Sequence, residues 1–179
     1  MPHEERNEEE LAAARRKVCE LFDALGIPYE IVIHPPIYSA FDRVRQEIEV
    51  DGLICKNLFL RNKDKSNYYL YTLPIDKRAD LSALQRVLGE TRLSFGKEDA
   101  LWELLHIHPG SVSLLNIIGV SEQNLSEKPF KYLIDAEVLN ATRMGVHPND
   151  NAATIVFPPD RLPELFAHYK ADFEFVSLE

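Results

Sequence analysis

The residue whose setting most directly suggests chemistry is Lys56, which interrupts the apolar run Ile-Cys-Lys-Asn-Leu-Phe-Leu at 54–60. The run is apolar at odd and even positions alike, so a strand here has little room for a solvent face. Burying an ammonium group is costly unless something compensates its charge. We therefore expect Lys56 in a cleft, where it can act on a phosphate or a developing oxyanion. A lysine on an ordinary solvent face is the alternative. Asn57 would point the other way, orienting a loop or contacting another part of a ligand.

A second candidate is the segment Pro109-Gly110-Ser111-Val112-Ser113, which predicts a loop entering a strand at about 112–118. Glycine permits a positive φ and a close backbone approach to a ligand, and consecutive N–H groups in such a loop can hold an anion or a carbonyl oxygen. An ordinary turn is the alternative. Ser111 and Ser113 are weak candidates for a nucleophile, because the chain has no Gly-x-Ser-x-Gly motif.

Three histidines, His106, His108 and His147, raise the possibility of a metal site. We expect none, because His106 should end a helix while His108 precedes a proline in a loop. His147 is expected to hydrogen-bond a backbone group or a substrate hydroxyl. Asn149, Asp150 and Asn151 follow it as turn residues, directly before an apolar strand. No metal and no other cofactor is expected.

The elements that must position these residues predict a mixed α/β fold, with a mostly antiparallel, barrel-like sheet flanked by helices. Apolar spacing predicts a helix over 8–25 closed by Gly26, and Asp80 is a candidate cap for a helix ending near Leu88. We expect 1–179 to form a single domain, with 1–26 as its N-terminal helix. The other predicted helices are 39–49, 97–105 and 160–169. The predicted strands are 29–34, 53–61, 68–73, 112–118, 131–135, 152–157 and 173–178.

Charge is distributed unevenly along the chain, whose net charge is −9. Residues 55–97 carry nine basic and four acidic side chains, whereas both flanking segments are acidic. This middle third is the candidate surface for phosphates, although a solvated face is the commoner meaning of such a cluster. Two cysteines without paired spacing, no basic signal sequence and no long apolar run predict a soluble cytoplasmic protein without a membrane partner.

These segments together resemble the YbaK/ProX family, free-standing relatives of the prolyl-tRNA synthetase editing domain, and within it the branch that deacylates Ala-tRNA(Pro). The resemblance covers about 20–175, and the shared order and spacing of several short motifs carries it. The motifs are His34-Pro35-Pro36, 56–60, 76–81, Leu88-Gly89, 92–95, 109–113 and His147-Pro148 with Asn151, Ala153 and Thr154.

The resemblance implies a fold, an activity and a site. Lys56 would be the essential lysine, and the ribose hydroxyl of the terminal adenosine would help to activate water. The expected partners are a mischarged tRNA, with tRNA(Pro) the first candidate, and prolyl-tRNA synthetase; no DNA is expected. Substrate-binding residues would be Asn57, Gly110, Ser111, Val112, Ser113, His147 and Asn151. For tRNA contacts we expect Arg61, Lys63, Lys65, Lys77 and Arg78.

Two classes of function remain open on the sequence. Retention of Lys56 favours a trans-editing hydrolase that acts on a mischarged tRNA. The alternative is a non-catalytic module that binds tRNA or an amino acid. It is favoured by the acidic flanks and by Leu114-Leu115, where the family has Pro followed by Phe or Leu. Residues 39–42 also depart from the family's Thr-x-Glu-Ala.

Overall fold

The computed structural model describes residues 7–37, 49–105, 107, 112–118 and 130–178. The complete α-helices are α1 (Glu8–Leu25), α2 (Leu81–Leu88), α3 (Glu98–Leu105) and α4 (Leu162–His168). The strands are β1 (Glu30–Ile33), β2 (Leu53–Arg61), β3 (Tyr68–Pro74), β4 (Ser94–Phe95), β5 (Phe130–Asp135), β6 (Met144–Val146), β7 (Ala153–Phe157) and β8 (Phe173–Val176). The expected mixed α/β class is confirmed.

Local chemistry sets the helix ends that the sequence indicated. The Asn7 side chain accepts a hydrogen bond from the Glu10 N–H at the start of α1, and Gly26 ends the helix in the left-handed conformation at φ 68°. Asp80 caps α2 in the same way, accepting from the Ala83 N–H at 2.9 Å. These helices therefore begin and end where a cap residue and a glycine fall.

The strands form one sheet in the order β1-β7-β6-β2-β3-β5-β8, with β4 paired to β2 beside this path. The pairs β1–β7, β6–β7, β2–β3 and β2–β4 are antiparallel, whereas β2–β6, β3–β5 and β5–β8 are parallel. The β2–β3 hairpin lies in the middle of this order and carries Lys56. Lys56 is thus on an internal strand.

Two apolar clusters cover the two faces of the sheet. The larger one joins α1, α3, α4 and 114–118 to one face, around fully buried Phe22, Leu70 and Phe166. The smaller one packs Leu84 of α2 against Leu60 and Tyr71 on the other face. No described helix has the length and apolar character required to cross a membrane.

The prediction of a strand at 112–118 is wrong. Leu114–Asn116 is a 3₁₀ helix, and Ile117 and Ile118 continue the helical path. The cause is a capping box, in which the Ser113 side chain accepts from the Leu115 N–H while the Asn116 side chain accepts from the Ser113 N–H. The apolar run that suggested a strand is buried as a short helix instead. Two strands were also missed, β4 and β6, which are only two and three residues long.

Candidate functional site

A break in strand pairing marks the part of the sheet that holds the predicted site. On the edge of β2 away from β3, β6 pairs with Leu53 and Ile54, and β4 pairs with Leu60 and Arg61. Residues 55–58 have no strand partner on this edge among the described residues. We call this interval the β2 gap; it includes Lys56 and Asn57.

Lys56 is partly buried and lies on the same face of β2 as Ile54 and Leu58, opposite Leu73 of β3. The last matched pair of the parallel β2–β6 register is Ile54–Gly145, and matched residues of neighbouring strands share a face of the sheet. Lys56 and His147 are each two residues beyond this pair. Lys56 makes no ion pair with any described residue, so its positive charge remains available to a ligand.

Asn57 lies on the opposite face and holds the loop that borders the gap. Its Oδ1 accepts two hydrogen bonds, from the Thr72 hydroxyl at 2.7 Å and from the Leu114 N–H at 3.1 Å. Two donors on one oxygen define the orientation of the carboxamide. Asn57 Nδ2 makes no hydrogen bond with a described residue and can donate to a ligand.

Ser113 joins this loop to the segment that carries His147. Its hydroxyl donates to the His147 carbonyl oxygen at 2.8 Å and accepts from the Leu115 N–H at 3.2 Å. The side chain is fully buried. The hydroxyl is therefore committed to holding backbone, which argues against Ser113 as a nucleophile.

A second bridge connects the same two segments through asparagine side chains. Asn116 Nδ2 donates to Asn149 Oδ1 at 2.7 Å, and Asn149 Nδ2 donates to the Leu115 carbonyl oxygen at 2.9 Å. Asn149 has a positive φ of 59°, a conformation that asparagine tolerates better than most residues. Leu114 and Leu115, where the family has Pro followed by Phe or Leu, are both fully buried in the larger core cluster.

Two histidines, His34 and His147, lie close together. His147 Nδ1 is 3.0 Å from the Ala153 carbonyl oxygen, and the His34 and His147 ring centroids are 6.4 Å apart. His34 is buried, with Nε2 2.8 Å from Thr154 Oγ1 and Nδ1 2.9 Å from the Pro35 carbonyl oxygen. Each Nδ1 faces a carbonyl oxygen, so each ring carries a proton on Nδ1. His34 was not predicted as a site residue, although its position before two prolines was a usable signal.

Asn151 and Asp150 connect the segment after His147 to other parts of the protein. Asn151 Nδ2 donates to the Ile37 carbonyl oxygen at 3.1 Å, and the Ile37 N–H donates back to the Asn151 carbonyl at 2.9 Å. Asp150 is 2% exposed, and its Oδ2 lies 2.7 Å from Arg15 NH1 on α1. The Asn151 side-chain amide thus holds Ile37 in place. The Arg15–Asp150 ion pair, which the sequence did not reveal, connects α1 to this region.

The predicted tRNA-binding residues differ in how available their charges are. Lys63, Lys65 and Arg78 are exposed, whereas Arg61 donates to the backbone carbonyls of Asn62 and Lys63. The fifth residue, Lys77, lies 2.9 Å from carboxylate oxygens of both Asp135 and Glu137. These carboxylates raise the pKa of the Lys77 ammonium through hydrogen bonds and charge.

Some predicted residues lie outside the part that the structure describes. These are Gly110 and Ser111 of the substrate loop, residues 39–42, and the histidines His106 and His108. Val112 is described, and it packs partly buried against the larger core cluster. The geometry of the site therefore rests on β2, 112–118 and 147–154.

Comparison with known proteins identifies the family. The family model of the aminoacyl-tRNA editing domain matches residues 34–165. The chain is 31% identical over 165 residues to the prolyl-tRNA editing protein ProX of Acetoanaerobium sticklandii, covering 92% of this chain and 98% of that protein. It is 29% identical to prolyl-tRNA synthetase associated domain-containing protein 1 of Mus musculus, over 82% of this chain and 85% of that one.

Solved structures show the same fold at low sequence identity. A crystal structure of a candidate trans-editing enzyme for prolyl tRNA synthetase superimposes with a TM-score of 0.62 at 19% identity, covering 90% of this chain and 95% of that chain. The hypothetical protein APE2540 gives a TM-score of 0.64, also at 19% identity, over 89% of this chain and 98% of that chain. The family match covers the β2 gap and both segments that border it, and the chain belongs to the aminoacyl-tRNA editing domain family.

Proposed function

We propose that the protein is a trans-editing hydrolase that deacylates mischarged aminoacyl-tRNA, with Ala-tRNA(Pro) as its first substrate. The observation that carries this proposal is Lys56, a partly buried cation in the β2 gap that makes no ion pair with a described residue. The names of the relatives from Acetoanaerobium sticklandii and Mus musculus, which refer to prolyl-tRNA editing and to prolyl-tRNA synthetase, support the choice of tRNA. Prolyl-tRNA synthetase is the corresponding candidate partner.

The reaction needs orientation and charge stabilisation more than a strong nucleophile, because the aminoacyl ester is already activated. Water attacks the carbonyl carbon, the carbonyl oxygen becomes an oxyanion, and the bond to the ribose oxygen breaks. The ribose oxygen takes the proton that water loses, giving the free amino acid and tRNA. A neighbouring ribose hydroxyl can relay this proton, which suits a site in which Ser113 is committed to structure.

Within this scheme, Lys56 places positive charge where the oxyanion or the terminal phosphate lies. Asn57 Nδ2 is a fixed donor on the other side of the strand, next to the 113–116 loop. His147 lies just after β6, and its ring is held through Nδ1. Preference for a small acyl group would come from size exclusion, as in a second sieve that admits alanine and rejects proline.

The test is single-turnover hydrolysis of Ala-tRNA(Pro) by wild type and Lys56→Ala. If Lys56 stabilises the transition state, the variant should lose about 10²–10³ in rate, or about 2.7–4 kcal/mol. The melting temperature should not change, because the substitution removes a charge that no described residue pairs. Lys131→Ala is the matched control, because its ammonium lies 2.9 Å from Glu174 on the β5–β8 side of the sheet. It should react at the wild-type rate.

The second candidate function, a module that binds tRNA or an amino acid without hydrolysis, is favoured by the net charge of −9. Equal rates for wild type and Lys56→Ala would show that Lys56 is not catalytic. If wild type leaves a panel of mischarged tRNAs intact, the binding module is the better description.

A further inference from the structure

The end of the β2–β3 hairpin carries a group of exposed basic side chains. We define the hairpin-end surface as Lys63, Lys65, Arg92 and Phe95, all exposed. Its three cations make no ion pair with a described residue. Four basic residues elsewhere, Lys77, Lys131, Arg143 and Arg161, each lie within 3.1 Å of a carboxylate oxygen.

Two acidic side chains beside this surface, Glu90 and Asp64, hydrogen-bond to neutral groups and make no ion pair with its cations. Glu90 accepts hydrogen bonds from the side chains of Asn62, Asn67 and Tyr69 and from the Thr91 N–H. It thereby joins the hairpin turn to the segment that carries Arg92. Asp64 accepts from Ser66 within the turn. The Lys63 N–H donates to Thr91 Oγ1 at 3.2 Å, which brings the basic turn against the same segment.

Phe95 adds an aromatic ring to this surface. It lies on β4 opposite Leu60 of β2, yet it is 59% exposed while Leu60 is fully buried. The ring makes no aromatic contact with a described residue. An exposed aromatic ring among unpaired cations is the combination with which proteins bind single-stranded nucleic acid, since bases stack on the ring while cations contact phosphates.

Phe95 lies on the same face of the sheet as Lys56. Cross-strand partners share a face of the sheet, and so do alternate residues of one strand. Phe95, its partner Leu60 and Lys56 therefore lie on one face, with Leu60 and Lys56 about 13 Å apart along β2. This separation is within the reach of the unpaired nucleotides at the 3′ end of a tRNA.

We propose that the hairpin-end surface binds the unpaired 3′ end of the tRNA substrate, with one base stacked on Phe95 and neighbouring phosphates on Lys63, Lys65 and Arg92. This inference rests on the proposed function, since it assumes that the ester lies at Lys56. The base on Phe95 sets the distance between the bound strand and the β2 gap. Binding through this surface needs stacking and charge but no particular base.

The test measures binding of a fluorescein-labelled RNA hairpin with an unpaired CCA 3′ tail, and of the same hairpin without the tail, by fluorescence anisotropy. Phe95→Ala should weaken binding of the tailed RNA about 5- to 100-fold and leave the blunt RNA unchanged. Phe95→Tyr keeps a stacking ring and should bind like wild type. Arg92→Ala should weaken binding and reduce the slope of log K against log salt by about 0.7.

Leu139→Ala is the control, because Leu139 is 41% exposed and lies after β5, away from the hairpin end. It should bind both RNAs like wild type. Wild-type affinity of Phe95→Ala for the tailed RNA, or equal loss for both RNAs, overturns the inference. Failure of the wild-type protein to bind the tailed RNA also overturns the inference.

Hydrolysis of Ala-tRNA(Pro) by the same wild-type preparation separates this inference from the proposed function. If wild type hydrolyses Ala-tRNA(Pro) but RNA binding does not depend on Phe95, the inference is overturned and the proposed function stands. Tail-dependent binding through Phe95 without hydrolysis of any mischarged tRNA overturns the proposed function and leaves the binding surface supported.

Discussion

Asn57 offers a test of how the β2 gap is built, because one side-chain oxygen holds two separate parts of the protein. Asn57→Ala removes the acceptor for the Thr72 hydroxyl and for the Leu114 N–H. Thr72 and Leu114 are both fully buried, so water cannot replace the lost acceptor without rearrangement. Leaving a buried donor unsatisfied costs about 1–3 kcal/mol, and two donors give an expected loss of about 2–6 kcal/mol.

Urea unfolding followed by circular dichroism measures this loss. With a slope of about 2 kcal/mol/M, the midpoint of Asn57→Ala should fall by about 1–3 M. Thr72→Val should lose less, because Asn57 keeps the Leu114 N–H. The double variant should lose about 1 kcal/mol less than the sum of the two single losses. In it, both side chains of the Asn57–Thr72 hydrogen bond are replaced, so neither is left without its partner. A midpoint of Asn57→Ala equal to that of wild type, or strict additivity in the cycle, would refute this account of the loop.

Three further predictions concern buried or bonded groups elsewhere. Burial alone would raise the pKa of Glu90, but hydrogen bonds from Tyr69, Asn67, Thr91 and Asn62 lower it from 4.5 to about 2. A lowered folded pKa stabilises the protein above the unfolded value, so the stability advantage of wild type over Glu90→Gln should shrink as pH falls from about 4.5 to about 2; a pH-independent difference in urea midpoints would contradict this. The Tyr132 hydroxyl is buried without a hydrogen-bond partner among the described residues, so Tyr132→Phe should raise the free energy of unfolding by up to about 1 kcal/mol in the same assay, and a clear loss would show that the hydroxyl is satisfied. Burial, followed by the charge of Asp135, raises the pKa of the Cys55 thiol to about 12; iodoacetamide at pH 8 should therefore label Cys55 only after denaturant is added, and mass spectrometry of the native protein would reveal any exception.

Several elements could be predicted because their signals are local. The helix at 8–25 was bounded by a cap residue and a glycine, and the hairpin by an apolar run, a polar turn and a second apolar run. The segment 112–118 misled because an apolar run alone does not distinguish a strand from a short buried helix. The capping box that decides between them involves Ser113 and Asn116, three residues apart, and it is recognisable from sequence in retrospect.

The sequence by itself determined the mixed α/β class, the strand that carries Lys56 and the family motifs, because caps, turns and apolar periodicity act over a few neighbouring residues. Only the tertiary structure decided which distant groups meet. The parallel β2–β6 pairing matches Ile54 with Gly145, Asn57 Oδ1 accepts from the Leu114 N–H, and Asp135 and Glu137 pair with Lys77. Sheet register and ion pairing across the chain depend on how buried surfaces pack against each other, and no local pattern specifies that packing.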